Sequence, residues 1–188
     1  MNIAGLVLAG GKSSRYGTQK LFADYEGAPL VLKSVRALQQ APLSYYIVTN
    51  EQLAAYFNKK NPFIIEQTPH EGPLSALYTG LHYVQQHHFT HVQVLAGDLP
   101  YIDESFTVFM QQQLNRYPDS DVLLPVHGGL DQPLHGLYSV NCLSTIERLL
   151  PDFSSMRALY STVDTKRINF ADDVPYFKNI NRITDWRD

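Results

Sequence analysis

Near its start the chain passes from an apolar run into glycine and positive charge: Gly5-Leu6-Val7-Leu8-Ala9-Gly10-Gly11-Lys12-Ser13-Ser14-Arg15-Tyr16-Gly17, with Lys20 close behind. Gly10 and Gly11 lack a Cβ, so a ligand can approach the main chain there and their N–H groups can converge on an anion. Lys12, Arg15 and Lys20 place three cations within nine residues of a chain whose net charge is −3. The chemistry this suits is the binding of a small, localised anion such as a phosphate. A glycine pair after a strand also serves as a plain tight turn. Two familiar loops do not fit. Gly5 and Gly11 are separated by five residues where a Walker loop has four before its Gly-Lys, and Gly10, Gly11 and Gly17 miss the G-x-G-x-x-G spacing.

The second chemical residue is Asp98, in Gly97-Asp98-Leu99-Pro100 after an apolar run over 91–96. A carboxylate displayed at the end of a strand can be the protein's ligand to Mg²⁺, which takes one or two carboxylates plus phosphate oxygens and water. It can equally cap the next helix, although Asp103 is better placed for that role. The histidines at 87, 88 and 91 have no acid or cysteine beside them at ligand spacing, so no transition-metal site is expected there. No G-x-S-x-G elbow or cysteine–histidine arrangement points to covalent catalysis.

The elements that must position these residues follow from hydrophobic periodicity. Strands are expected over 45–49, 63–66 and 91–96, and helices over 29–40 (with Pro29 in the first turn), 51–58, 74–87 and 103–114. Such alternation predicts a three-layer αβα, Rossmann-like fold: a mostly parallel sheet covered on both faces, with a small antiparallel element in the second half. Strand ends gather at one edge of such a sheet, which should bring the Gly10 loop, Asn50, the Gly72 loop and Asp98 together. Further on, 121–126 reads as a strand and 133–139 as its return across Gly128-Gly129. Helices are expected over 141–150 and 154–160, and late strands over 166–170 and 176–180. The chain reads as a single domain over 1–188, regular over 1–115 and less regular over 116–188.

The composition is that of a globular protein, 44% hydrophobic and 18% charged over 188 residues. The acidic balance argues against a general nucleic-acid binder. The single cysteine, Cys142, cannot form an internal disulfide, which suits a reducing compartment. With no signal-peptide pattern and no apolar run near ~20 residues, neither a membrane partner nor export is expected, and the cytoplasm is the expected location.

The string L-A-G-G-x-S-x-R-Y-G-x-x-K resembles the signature of nucleotidyltransferases that activate a phosphorylated acceptor with an NTP. It is most similar to that of the molybdenum cofactor guanylyltransferase family. The resemblance implies transfer of GMP from GTP to molybdopterin, with Mg²⁺ as cofactor and pyrophosphate as leaving group. Protein partners that donate the cofactor, and molybdoenzymes that accept it, are plausible beside it. By the same resemblance Leu8, Ala9, Gly10, Gly11 and Lys20 hold the nucleotide, Lys20, Arg15 and Asp98 act in catalysis, and Asp98 binds the metal. Gly72-Pro73-Leu74 looks like the segment that packs along the nucleotide, with Ala76 where glycine is common. Asn50 resembles a nucleoside-contacting asparagine, with Thr49 as an alternative alignment and a turn residue as the plainer reading. Relatives carry aspartate after the third strand; here Glu66-Gln67 stands, and either Glu66 or Gln67 takes its place. Asn179-Ile180-Asn181 looks like N-x-N-T-x-x-D/E, which faces the acceptor, although Arg182 replaces the threonine while Asp185 keeps the acid. His135 lies in the segment around the acceptor site, as a phosphate contact or simply a strand residue.

L-A-G-G marks GTP users and L-A-A-G the CTP users. The rivals are a cytidylyltransferase or sugar-phosphate nucleotidyltransferase of the same fold, and a non-catalytic GTP-binding adaptor.

Overall fold

The computed structural model of the chain describes residues 1–10, 20–58, 60–68 and 71–178. β1 (Ile3–Leu8) is followed by a small antiparallel hairpin of β2 (Asp24–Tyr25) and β3 (Ala28–Pro29), then α1 (Val31–Gln40). β4 (Ser44–Thr49) leads into the short α2 (Glu51–Ala54), β5 (Phe63–Ile65) into α3 (Pro73–Gln86), and β6 (His91–Ala96) into α4 (Glu104–Arg116). The second half supplies β7 (Val122–His127), β8 (Leu130–Asp131), β9 (Leu137–Ser139), α5 (Leu143–Leu149), α6 (Met156–Tyr160) and β10 (Thr165–Asn169).

The main sheet runs β10-β7-β9-β6-β1-β4-β5, with β8 paired to β7. Of the strands on this path only β9 opposes its neighbours, lying antiparallel between β6 and β7. The sheet is thus mostly parallel with a small antiparallel element in the second half, the αβα arrangement expected. β1 and β6 sit at its centre in parallel register, Leu6 beside Val94 and Leu8 beside Ala96. Their near-continuous apolar runs follow from burial on both faces. Neighbouring residues point to opposite faces. Leu6, Val48, Val92 and Val94 pack with Leu77 and Leu81 of α3, Ile146 of α5 and Leu159 of α6. Val7, Ile47 and Leu95 pack on the other face with Val35 and Leu38 of α1 and Phe106 and Met110 of α4. Cys142 is buried, which pushes its thiol up to about 12. Among the described residues no helix is long and apolar enough to cross a membrane.

Four local expectations are corrected. Pro29 belongs to β3 and not to a helix; the Leu30 N–H donates to Ala23 O at 3.0 Å, closing the hairpin before α1 begins. The helix expected over 51–58 stops at Ala54, where i→i+3 bonds from Tyr56 to Leu53 and from Phe57 to Ala54 tighten the chain out of it. Of the return strand expected over 133–139, only Leu137–Ser139 pairs antiparallel with β7, as β9, and the two-residue β8 makes the first return after Gly128-Gly129. Pro133–His135 forms a 3₁₀ turn, because Pro133 has no N–H for a ladder and the Gln93 amide holds His135 O at 2.8 Å. Residues 176–178 form no strand; the Lys178 N–H bonds to Pro175 O, and their aromatic side chains pack inward instead.

Candidate functional site

Four strand ends are knit together at one edge of the sheet. The Ala9 N–H donates to Val48 O at 2.8 Å, Thr49 Oγ1 donates to Ala9 O at 3.0 Å, and the Glu66 N–H donates to Thr49 O at 2.8 Å. On the other side, the Gly97 N–H donates to Leu8 O at 3.1 Å, and Ser34 Oγ holds Ala96 O at 2.6 Å. The N–H of Ala9 is therefore spent inside the sheet, and the backbone that a ligand can approach begins at Gly10. A Cβ on Gly10 would run into Glu66 Oε1, so glycine is what lets the carboxyl lie against the main chain.

Lys20 and Asp98 meet at this edge. Lys20 starts a 3₁₀ turn, and Leu21 beside it packs over Gly97. Lys20 Nζ donates to Asp98 Oδ2 at 2.8 Å, with the lysine side chain 10% and the aspartate 26% exposed. The capping alternative for Asp98 falls away, because Asp103 caps α4 by accepting from the Phe106 N–H at 3.2 Å. Asp98 is thus a partly open carboxylate at a strand end, tied to a lysine 78 positions away in sequence. Its hard oxygens fit a Mg²⁺ completed by substrate phosphates and water. Among the described residues no group of three or more His, Cys, Asp or Glu side chains stands ready to hold a metal by itself.

The remaining expected residues fall as follows. Asn50 is buried and caps α2, its Oδ1 accepting from the Leu53 N–H at 3.0 Å, so the turn reading accounts for it. Glu66 is buried beside Gly10 while Gln67 is exposed. Burial raises the Glu66 carboxyl above its ordinary range, and Oε1 has no hydrogen-bond partner among the described residues. Gly72 caps the start of α3 with φ 97°, a region that favours glycine, and a Cβ there would meet Ser154 O at 2.7 Å. Pro73 opens α3, where its missing N–H costs nothing. Gly11 and Arg15, with the rest of the glycine-rich loop over 11–19, lie outside the described residues, as do Asn179 and Asn181.

His135 is enclosed, not strand-borne. Its ring lies 4.9 Å from that of Phe177 and 5.9 Å from that of Phe106. Neither ring nitrogen has a hydrogen-bond partner among the described residues. Burial lowers its pKa to about 4, against the opposing pull of the Tyr176 backbone and the Asp98 charge.

Sequence reasoning missed two residues, one of the Asp98 loop and one against it. Tyr101 sits three residues on and receives a side-chain hydrogen bond from Tyr25. Lys178 Nζ lies 6.0 Å from the Tyr101 ring centroid. Glu66 was visible only as one of two alternatives, although it ends an apolar strand much as Asp98 follows one.

Backbone opened at a strand-end glycine, with a lysine–carboxylate pair beside it, defines an α/β domain of the class that handles phosphorylated ligands at its strand ends. The model of the MobA-like NTP transferase domain matches residues 5–167, and the chain belongs to that family of nucleotidyltransferases. A protein of Thermococcus sibiricus named "Probable molybdenum cofactor guanylyltransferase" is 33% identical over 149 residues, 77% of this chain and 72% of the relative. One of the same name from Halalkalibacterium halodurans is 29% identical over 192 residues, 96% of this chain and 94% of the relative. The crystal structure of molybdopterin-guanine dinucleotide biosynthesis protein A from Archaeoglobus fulgidus is similar in fold, with TM-score 0.77 and 20% identity. That match covers 100% of this chain and 95% of the other.

Proposed function

We propose that the chain transfers GMP from GTP to the terminal phosphate of molybdopterin, releasing pyrophosphate and forming the guanine dinucleotide form of the cofactor. The family and the names its relatives carry support this reading. The observation that carries it is the Lys20–Asp98 pair, 2.8 Å apart, which joins the 3₁₀ turn that Lys20 starts to the loop just past the end of β6.

No side-chain nucleophile is required, because the acceptor phosphate is already an anion. The work left to the protein is positioning and charge neutralisation. Gly10 and Gly11 would present main chain to the triphosphate, with Leu8 and Ala9 fixing their place in the sheet and Lys20 and Arg15 supplying positive charge. Glu66, buried against Gly10, would take the place of the family aspartate that contacts the nucleoside, and Asn50, Gly72 and Pro73 would contact the nucleotide as well. Asp98 would hold Mg²⁺, which when bound offsets charge on the α-phosphate. Asn179 and Asn181 would face the acceptor. A protein donor and a molybdoenzyme acceptor fit an exchange of a reactive pterin, and the cytoplasm is the compartment that suits the lone cysteine.

Pyrophosphate release tests the reading, measured with molybdopterin and either GTP or CTP, with and without Mg²⁺, for wild type and Asp98→Ala. Release with GTP and Mg²⁺ alone, lost in the variant, is the expected result. Release with CTP would overturn the base, and GTP binding without release would favour a binding protein.

A further inference from the structure

Beyond the pair at the strand ends, the second half of the chain brings one more cation to the Asp98 loop. After β10 the chain turns back across α4, and its aromatic side chains sink into a cluster. Phe177 is the centre of it. Its ring stacks on His127 at 4.8 Å and lies 4.9 Å from His135, 5.1 Å from Phe170 and 5.9 Å from Phe106. The backbone is pinned on the same side, where the Phe170 N–H donates to Val126 O at 2.9 Å and His127 Nε2 meets Asp172 O at 3.2 Å. Packed rings of this kind fix a segment through many weak contacts that add together.

The next residue is Lys178. Its side chain is exposed, and its ammonium lies over Tyr101, which shares a loop with Asp98. Among the described residues no carboxylate pairs with it. The Lys20 ammonium, by contrast, is already engaged with Asp98. An incoming phosphate carrying roughly −1.5 to −2 charge would join a triphosphate that is itself anionic, and the two repel. A further cation beside the Asp98 loop is what the electrostatics call for.

We propose that Lys178 binds the anionic phosphate end of the acceptor, and that Phe177 is the positioning residue that holds it over Tyr101. This rests on the reading of the second substrate as a phosphorylated pterin. Phe177 touches no substrate; it acts through its neighbour.

Equilibrium binding of molybdopterin, followed by pterin fluorescence, and of GTP, followed by calorimetry, separates the two ideas. Lys178→Gln should weaken molybdopterin binding about tenfold, the scale of one charged hydrogen bond, and flatten its salt dependence. GTP affinity should stay within about twofold, and Lys178→Arg should restore acceptor binding. Phe177→Leu should reproduce the acceptor defect of Lys178→Gln with GTP affinity retained. Wild type that binds molybdopterin with Lys178→Gln binding it equally well overturns the inference, as does an equal loss of GTP affinity. Wild type that fails to bind molybdopterin at all overturns the proposed function instead. Lys178→Gln is a surface change, so the test stands even where Phe177→Leu folds poorly.

Discussion

Glu66 and His135 make a pair of opposites, one in each half of the molecule. Both are buried, and both leave side-chain polar atoms without hydrogen bonds among the described residues. Glu66 sits where strand ends are laced by backbone bonds, pressed to Gly10. His135 sits among rings, Phe106 and Phe177 against it. Around Glu66 the strand ends are held by directed hydrogen bonds between neighbouring strands. Around His135, non-directional aromatic packing of a late segment adds to the strand ladder. The first arrangement fixes atoms rigidly; the second can yield to small changes in shape. Their protonation responds in opposite senses too, since burial favours the uncharged form of each.

The largest expected effect lies in the laced half. Lys20→Met should lower kcat about 100-fold or more, as loss of a preorganised charge at a reacting phosphate does, measured by pyrophosphate release. An equally large loss from Phe177→Leu in kcat would erase the contrast between the halves.

The next effect belongs to His135. Its folded pKa of about 4 lies below the ordinary 6.5, so the unfolded chain binds the proton more readily. Stability is then fully present above about pH 6.5 and falls as pH drops towards about 4, by at most about 1.4 kcal/mol per pH unit. His135→Leu should flatten that limb of the melting-temperature profile. A profile identical to wild type would mean that the imidazole is not sequestered.

Gly10→Ala comes third. Its new Cβ meets Glu66 Oε1, so the carboxyl must move, and GTP affinity should fall about tenfold with the displaced loop backbone. Glu66→Ala in the same chain should remove the clash and recover much of the lost stability, a coupling that a double-mutant cycle reads directly. Additive effects would show that the two residues do not touch.

The smallest effect is Glu66→Gln. The raised carboxyl contributes stability that is present below its unfolded pKa and lost as pH rises through the folded one. The amide should therefore raise Tm by about 2 °C at neutral pH, with little change in acid. A drop in Tm at neutral pH would instead reveal a stabilised carboxylate.

How much of this the sequence exposes follows the same division. β1, β4 and β6 are apolar runs ending in Gly10, Asn50 and Gly97-Asp98, so periodicity and terminators together announce a parallel sheet and its active edge. Lys20 and Asp98 each stand out by type, yet their pairing across 78 positions needed the fold. The Pro133–His135 turn escaped because its geometry depends on the Gln93 side chain reaching across from β6, a tertiary contact with no local signal. Tyr176 and Phe177 carry strand-like composition, but rings contributed by α4, β7 and the 3₁₀ turn draw them into a cluster. Composition alone cannot tell those outcomes apart.

The most direct test follows the guanylyl group itself. GTP labelled in its α-phosphate is incubated with the protein, Mg²⁺ and molybdopterin, and the label is traced by chromatography. The account predicts label in a molybdopterin dinucleotide, formed by wild type and not by Asp98→Ala. Label that stays in GTP while the protein binds both substrates would contradict it.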